Sequence, residues 1–302
     1  MIRSELRLGI ALMIAASFVF AMQDGISRHL AAHYNVFMVV MIRFWFFGAF
    51  VLVVASRRAG GLRAAAATTQ PGLQIFRGLL LIVEICVTVM GFVLLGLIPT
   101  HAIFASFPLI IAALSGPVLG EKVGPWRWAA IGVGFLGILV ILRPGVAVFD
   151  PRALIALAAA VLWAVYGVLT RLAARRDNST TSFFWTGVVG AIGMTLIGIW
   201  FWEPMTGPDW GWMAALCITG VSGHWLLIKC YEVVEASAVQ PFAYFQLVFV
   251  TMIAIPVFGE ELEPNVAIGA AMVIGAGVVA VWRERRAALR RAARDAQATR
   301  AG

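Results

Sequence analysis

Ten stretches of about twenty apolar residues run along the chain, at about 7–28, 35–55, 77–97, 101–119, 126–142, 153–171, 182–202, 212–232, 238–258 and 265–282. Each approaches the length a helix needs to cross a hydrocarbon layer of about 30 Å at 1.5 Å per residue. The connectors are short and polar, so little chain remains for a soluble domain. The pattern predicts an all-α membrane protein with ten transmembrane helices.

The pattern repeats itself. PVLGEKVGP, from Pro117 to Pro125, and PVFGEELEP, from Pro256 to Pro264, share five of nine residues at an offset of 139. At the same offset His101 falls opposite Gln240, and Gly-punctuated apolar runs follow both motifs. At an offset of 143, Phe20 meets Trp163, Gln23 meets Tyr166 and Arg28 meets Arg171. The spacing divides the chain into two five-helix repeats, at 6–145 and 152–283, with a basic tail over 284–302. Five crossings per copy is odd, so the second copy must be inverted relative to the first. Inverted repeats are an architecture of transporters, with the substrate site near the midplane at the repeat interface. Within each motif, Pro117 and Pro256 weaken a helix end and Gly120 and Gly259 permit the turn. Glu121 and Glu260 are expected to cap the helices that follow them.

Charge sharpens the topology. The chain is 62% hydrophobic and only 13% charged, with a net charge of +8. If the ten spans alternate, Arg57, Arg58, Arg63, Arg77, Lys122, Arg171, Arg175 and the cluster from Arg283 to Arg300 all fall on one side. The other side receives Arg28, Arg143 and Arg152 with Asp150, Glu203, Asp209, Glu260, Glu261 and Glu263. This is the positive-inside pattern, with both termini cytoplasmic. The basic tail is read as a solvated anchor near anionic headgroups, with no nucleic-acid partner. The opening run resembles a secretory signal, yet its removal would leave nine spans and reverse the charge pattern, so it is read as the first span. Cys86, Cys217 and Cys230 all lie within spans and form neither a disulfide framework nor a metal set. No cofactor, metal or obligate protein partner is indicated.

The chain resembles the ten-helix EamA-type members of the drug/metabolite transporter superfamily. The resemblance rests on Arg43-Phe44 in the second span, the Pro-x-x-Gly-Glu ends of the fourth and ninth, and the Gly-rich fifth and tenth. It covers roughly residues 6–283. Over 221–250 the chain looks most like the YddG-type amino-acid exporters of that superfamily. The resemblance implies a basket of ten helices around a central cavity, lined by the third, fourth, eighth and ninth helices with the first and sixth. The small four-helix relatives carry an embedded Glu in helix one for cationic drugs; here Gln23-Asp24 stands near the outer end instead.

Charges inside hydrocarbon cost about 2.5–3.5 kcal/mol each on insertion scales, so each needs a partner or a role. Arg43 is expected to pair with Asp24, or to reach Glu84, as a tie between helices. Lys229 is read as snorkelling to the cytoplasmic interface. His224, five residues earlier, points about 140° away from it and belongs to the interior. Candidate cavity residues are Gln23, His101, Trp163, Tyr166, His224, Gln240 and Tyr244, with Phe107 and Phe245 available as apolar walls. Trp163 and Tyr166 share one helix face, as do Gln240 and Tyr244. Trp126, Trp128, Trp210 and Trp212 suit interfacial belts.

Such a pocket suits an amphipathic amino acid, aromatic or large and neutral, so the sequence reads as an amino-acid exporter of the bacterial inner membrane working by alternating access, without an obligatory coupling ion. S-adenosylmethionine, a purine or a quaternary amine is the alternative cargo. An enzyme is not expected. The segment GVSG, from Gly220 to Gly223, resembles an intramembrane serine protease site, but His224 points about 160° from Ser222 and cannot act as its base.

Overall fold

The computed structural model describes residues 2–58, 60–120, 125–142, 151–234, 239, 242–276, 278–279, 282–283 and 286. Glu121, Gln240 and most of the basic tail lie outside the described residues. The helices are α1 (Ile2–Ala31), α2 (Val36–Ser56), a short α3 (Gly61–Ala66), α4 (Pro71–Leu95), α5 (Leu97–Phe104), α6 (Phe107–Leu119), α7 (Pro125–Leu142), α8 (Ala153–Ala173), α9 (Ser179–Gly198), α10 (Gly207–Val233), α11 (Phe245–Phe258) and α12 (Pro264–Ala276). Among the described residues, seven helical units are long and apolar enough to cross a membrane, counting α5 and α6 together as Leu97–Leu119. The helices α7, α11 and α12 hold shorter apolar stretches over the described residues. The protein is an all-α, multi-pass membrane protein.

Two-fold pairing organises the helices. The packing of α1 along α10 is mirrored by α8 along α4, and that of α1 on α11 by α8 on α5 and α6. The pair α2 and α9 meets itself across the same relation, as do α5 and α11. Contacts at the helix ends fit alternating crossings. Arg58 after α2 donates to Thr180 at the start of α9 at 2.7 Å, and Arg175 after α8 donates to the Leu119 carbonyl ending α6 at 2.5 Å. Arg28 near the end of α1 pairs with Glu260 just after α11. Small residues permit the close approach of α8 that membrane packing favours: Ala156, Ala159, Ala160 and Ala164 are fully buried.

The repeated motif folds the same way twice. Gly120 ends α6 at φ 67° and Gly259 ends α11 at φ 63°, the left-handed region that glycine enters without steric cost. Gly120 N–H donates to the carbonyls of Gly116 and Ser115; Gly259 N–H donates to those of Ile255 and Ala254, the same positions shifted by 139. Pro117 and Pro256 each sit inside the last turn.

Three features depart from the sequence reading. The fourth span is broken at Ala105 and Ser106, where Pro108 at the start of α6 cannot donate back to Phe104. The short α3 precedes the third span. That span begins at Pro71 rather than 77, which carries Arg77 inside instead of leaving it at the interface.

Candidate functional site

The interior of the bundle holds a cavity of about 30 Å³ lined by α1, α2, α4, α5, α8, α10 and α11. Among the candidates from sequence, Gln23, His101, Trp163 and His224 face it, together with the charges Asp24, Arg43 and Glu84. Tyr166 stands behind Trp163, with ring centroids 5.6 Å apart. Tyr244 lines a small adjoining hollow with His101, Phe104 and Phe107. Phe245 points outward and is 42% exposed, because α11 turns this side of its first turn away from the bundle.

Arg43 is 2% exposed, and its Nη2 lies 3.1 Å from His224 Nε2. It makes no ion pair with Asp24 or Glu84; the expected tie between helices is replaced by an Arg–His contact. Asp24 is occupied instead from the α5 and α11 side: His101 Nε2 is 3.2 Å from its Oδ2, and Gln246 Nε2 donates to the same oxygen at 2.9 Å. Glu84 accepts from Thr88 Oγ1 at 2.6 Å, one turn along α4. The cavity thus sets a guanidinium and an imidazole against two separate carboxylates. Several buried atoms lack a hydrogen-bond partner: Arg43 Nε, Gln23 Oε1, His224 Nδ1 and, in the adjoining hollow, Tyr244 Oη. Buried donors and acceptors of this kind are normally satisfied, and although Arg77 Nε, Thr100 Oγ1, Ser106 Oγ and Arg171 Nε also lack partners elsewhere, the group around this cavity makes it the candidate site for a polar ligand.

The apolar walls are aromatic. Phe20 meets Trp163 edge-to-face at 5.6 Å and His224 at 5.3 Å. Phe92 stacks on His101 at 5.1 Å, and Phe104 lies 6.2 Å from Trp163. Phe20 and Trp163 correspond in the two repeats, so equivalent positions meet at the repeat interface.

The GVSG segment has a packing role. A Cβ at Gly220 would sit 2.7 Å from Arg43 Nε, and one at Gly223 would sit 2.7 Å from the Phe20 ring. The two glycines open α10 for the guanidinium and the ring that form the cavity. Ser222 points elsewhere, donating to the Ile218 carbonyl at 2.8 Å.

A second buried arginine lies toward the Arg58 end. Arg77 is fully buried and donates to Gln74 Oε1 at 2.8 Å, the Ser182 carbonyl at 2.6 Å, Tyr166 Oη at 3.2 Å and Thr170 Oγ1 at 3.3 Å. Gln74 in turn donates to Asp177 Oδ2 at 2.7 Å. The sequence reading placed Arg77 at the interface. Apart from Gln74, one turn earlier on α4, its partners come from α8 and α9 and carry no local signature. Gln246, Thr88 and Phe92 also escaped that reading; of these, Gln246 had a usable signal, being a lone amide in an apolar run.

Beyond Ser27 of the cavity, the helix ends are tied together at Glu260. The two carboxylate oxygens of Glu260 accept from the backbone N–H groups of Leu97 and Ile98 at 2.8 Å each, while Arg28 pairs with Oε1. The Arg28 guanidinium also lies 4.4 Å above the Phe258 ring. Glu260 therefore caps α5, a helix of the other repeat, and not the helix that follows it. At that helix the exposed N–H groups and the positive dipole end favour a carboxylate. Glu121 lies outside the described residues. Lys229 pairs with Glu232 one turn on, and Glu232 also accepts from Ser179 N–H at 3.0 Å.

Comparison with known proteins agrees with this architecture. An S-adenosylmethionine uptake transporter of Rickettsia prowazekii is 25% identical over 281 residues, covering 92% of this chain and 94% of that protein. A riboflavin transporter of Vibrio cholerae is 24% identical over 266 residues, 87% of this chain and 89% of its own length. A solved crystal structure superposes with a TM-score of 0.67 at 22% identity, over 94% of this chain and 98% of the other, which supports the fold. The model of the EamA-like transporter family matches twice, over residues 7–143 and 151–282. The chain belongs to the EamA-like transporter family.

Proposed function

We propose that this transporter carries a small zwitterion with a flat or apolar body, S-adenosylmethionine being the first candidate, across the bacterial inner membrane by alternating access. The observation that carries the reading is the single cavity in which Arg43 and His224 oppose Asp24 and Glu84 amid Phe20, Phe92, Phe104 and Trp163. Arg43 receives the substrate carboxylate through its free Nε. Asp24 and Glu84 receive an ammonium or a sulfonium, which the aromatic faces also attract. The rings cover a planar base. An amino acid, the first expectation from sequence, answers the charges but leaves much of the aromatic wall uncovered. A quaternary amine has no use for Arg43. Riboflavin suits the rings but brings no positive charge for Asp24 and Glu84. The S-adenosylmethionine carriers among the relatives support the same choice.

Two repeats at 6–145 and 152–283, the second inverted, supply the moving parts, with both termini and the tail over 284–302 in the cytoplasm. The basic residues gathered on the Arg58 side support this orientation. As it stands the cavity has room for a water, whereas ligand pockets run to about 300–1,000 Å³. Transport therefore requires its walls to part, first at one end and then at the other. The tie of Arg28, Glu260 and the start of α5 is the gate on the outer side. Nothing in the cavity demands a coupling ion, and an uncoupled carrier follows whichever gradient exists.

The test is counterflow in liposomes bearing the purified protein, with labelled S-adenosylmethionine, riboflavin, tryptophan and choline, with and without a pH gradient. Saturable S-adenosylmethionine exchange above empty liposomes is expected. Tryptophan exchange without S-adenosylmethionine exchange would restore the amino-acid reading, and no exchange of any of them would overturn both.

A further inference from the structure

A second, larger hollow opens on the outside of the bundle. It has a volume of about 470 Å³ and lies between α2, α3, α9 and α10, shares no lining residue with the cavity described above, and is separated from His224 by the Phe47 ring. Its floor is aromatic: Phe183 packs edge-to-face on Trp225 at 5.2 Å and on Phe50 at 6.4 Å. Phe46 and Ile218 form its rims, 41% and 60% exposed. In a membrane protein this face meets lipid tails. One end carries Arg58, which lies just beyond the 21-residue α2 and therefore at the membrane surface. Arg58 donates to Thr180 Oγ1 at 2.7 Å and has no carboxylate partner among the described residues. Arg57 and Arg63 stand exposed at the same surface.

We propose that this groove is a binding site for an anionic phospholipid, with an acyl chain against Phe50, Phe183 and Trp225 and the phosphate on Arg58 and Thr180. Lipid tails are as apolar as the groove, so burial alone gives no preference for one lipid over another. Tail binding rests on contact with a shaped wall, and selectivity rests on the unpaired guanidinium. Basic pockets between helices on the cytoplasmic side have this character, and one arginine near an anionic surface is worth about a fivefold preference. A lipid seated there would brace α2 against α9 and α10. These helices carry Arg43 and His224, so lipid occupancy would bear on the cavity from behind.

Native mass spectrometry of the full-length protein, washed in detergent and incubated with equimolar dioleoyl phosphatidylglycerol and phosphatidylcholine, tests the proposal. The wild type is expected to retain one phosphatidylglycerol at about fivefold excess. R58A should lower its retention to that of phosphatidylcholine, and I218W, at an exposed rim position, should lower retention of both. R63A, at an exposed arginine outside the groove, should change nothing. Equal retention of the two lipids by the wild type would overturn the proposal. So would an R63A loss as large as that of R58A, which would assign the effect to the general basic surface. I218W blocking transport with lipid retention unchanged would make the groove a lateral entry for substrate and would equally overturn it.

Discussion

Two arginines lie buried among the described residues, and they are provisioned differently. Arg77 is wrapped by four acceptors from α4, α8 and α9 and is linked through Gln74 to Asp177. Arg43 has one polar partner among the described residues, His224, and faces a cavity that holds two carboxylates it does not bond. Burying a charge is costly wherever it occurs, and a protein can offset the cost with its own partners or leave part of the site for a ligand. Arg77 follows the first course and Arg43 the second. Each guanidinium keeps one Nε without a partner, but the rest of Arg77 is satisfied within the protein, which is the basis for proposing that Arg77 holds the fold and Arg43 receives substrate.

The contrast breaks most readily at Arg77. R77M should remove the hub for Gln74, Tyr166, Thr170 and the Ser182 carbonyl and leave them buried without a partner, costing about 3–5 kcal/mol. The expected outcome is loss of monodisperse protein in size-exclusion chromatography. A folded R77M with impaired substrate affinity would reverse the two assignments. Next in size is D24N, which keeps an acceptor for Gln246 but removes the negative charge opposite Arg43. A loss of about thirtyfold or more in affinity for a cationic substrate is expected, with melting temperature little changed, in keeping with the range of about 2–5 kcal/mol for truncating one side of a buried charge pair. G220A comes next: the methyl group would press on the guanidinium, moving Arg43 without altering any polar group. A reduction of several-fold in transport is expected, measured by counterflow. The smallest effect is that of E260Q. The amide retains one oxygen for the start of α5 but loses the ion pair with Arg28. Transport should persist, while a cysteine at Phe104 should become several-fold more reactive toward an impermeant thiol reagent applied from the Glu260 side.

Much of the fold was legible in the sequence because it is written in local terms. Apolar run length marks the spans, and the duplicated Pro-x-x-Gly-Glu marks two helix ends that fold alike. Long-range partnership was far less legible. Arg77 counted as an interface charge because neither Tyr166 nor Ser182 is near it in sequence. Asp24 was expected to meet Arg43, the opposite charge at similar depth, but His101 of the same repeat and Gln246 from across the repeat interface reach it first. Glu260 was expected to cap its own following helix, whereas it caps α5, a choice that only the folding together of two repeats can dictate. The break at Ala105 and Ser106 had a signal in Pro108, weakened by the apolar run continuing through it. The repeat itself carried one long-range contact: Phe20 and Trp163, matched at an offset of 143, pack edge-to-face at 5.6 Å.

The central claim is that Arg43 binds the substrate carboxylate. The most direct measurement compares S-adenosylmethionine with its decarboxylated analogue in competition for counterflow, in the wild type and in R43Q. The wild type should favour the carboxylated compound by about thirtyfold or more, the lower end of what a buried charge pair contributes. In R43Q the preference should vanish, with the analogue bound about as well as before. A wild type indifferent to the carboxylate, or an R43Q that retains the preference, would contradict the account.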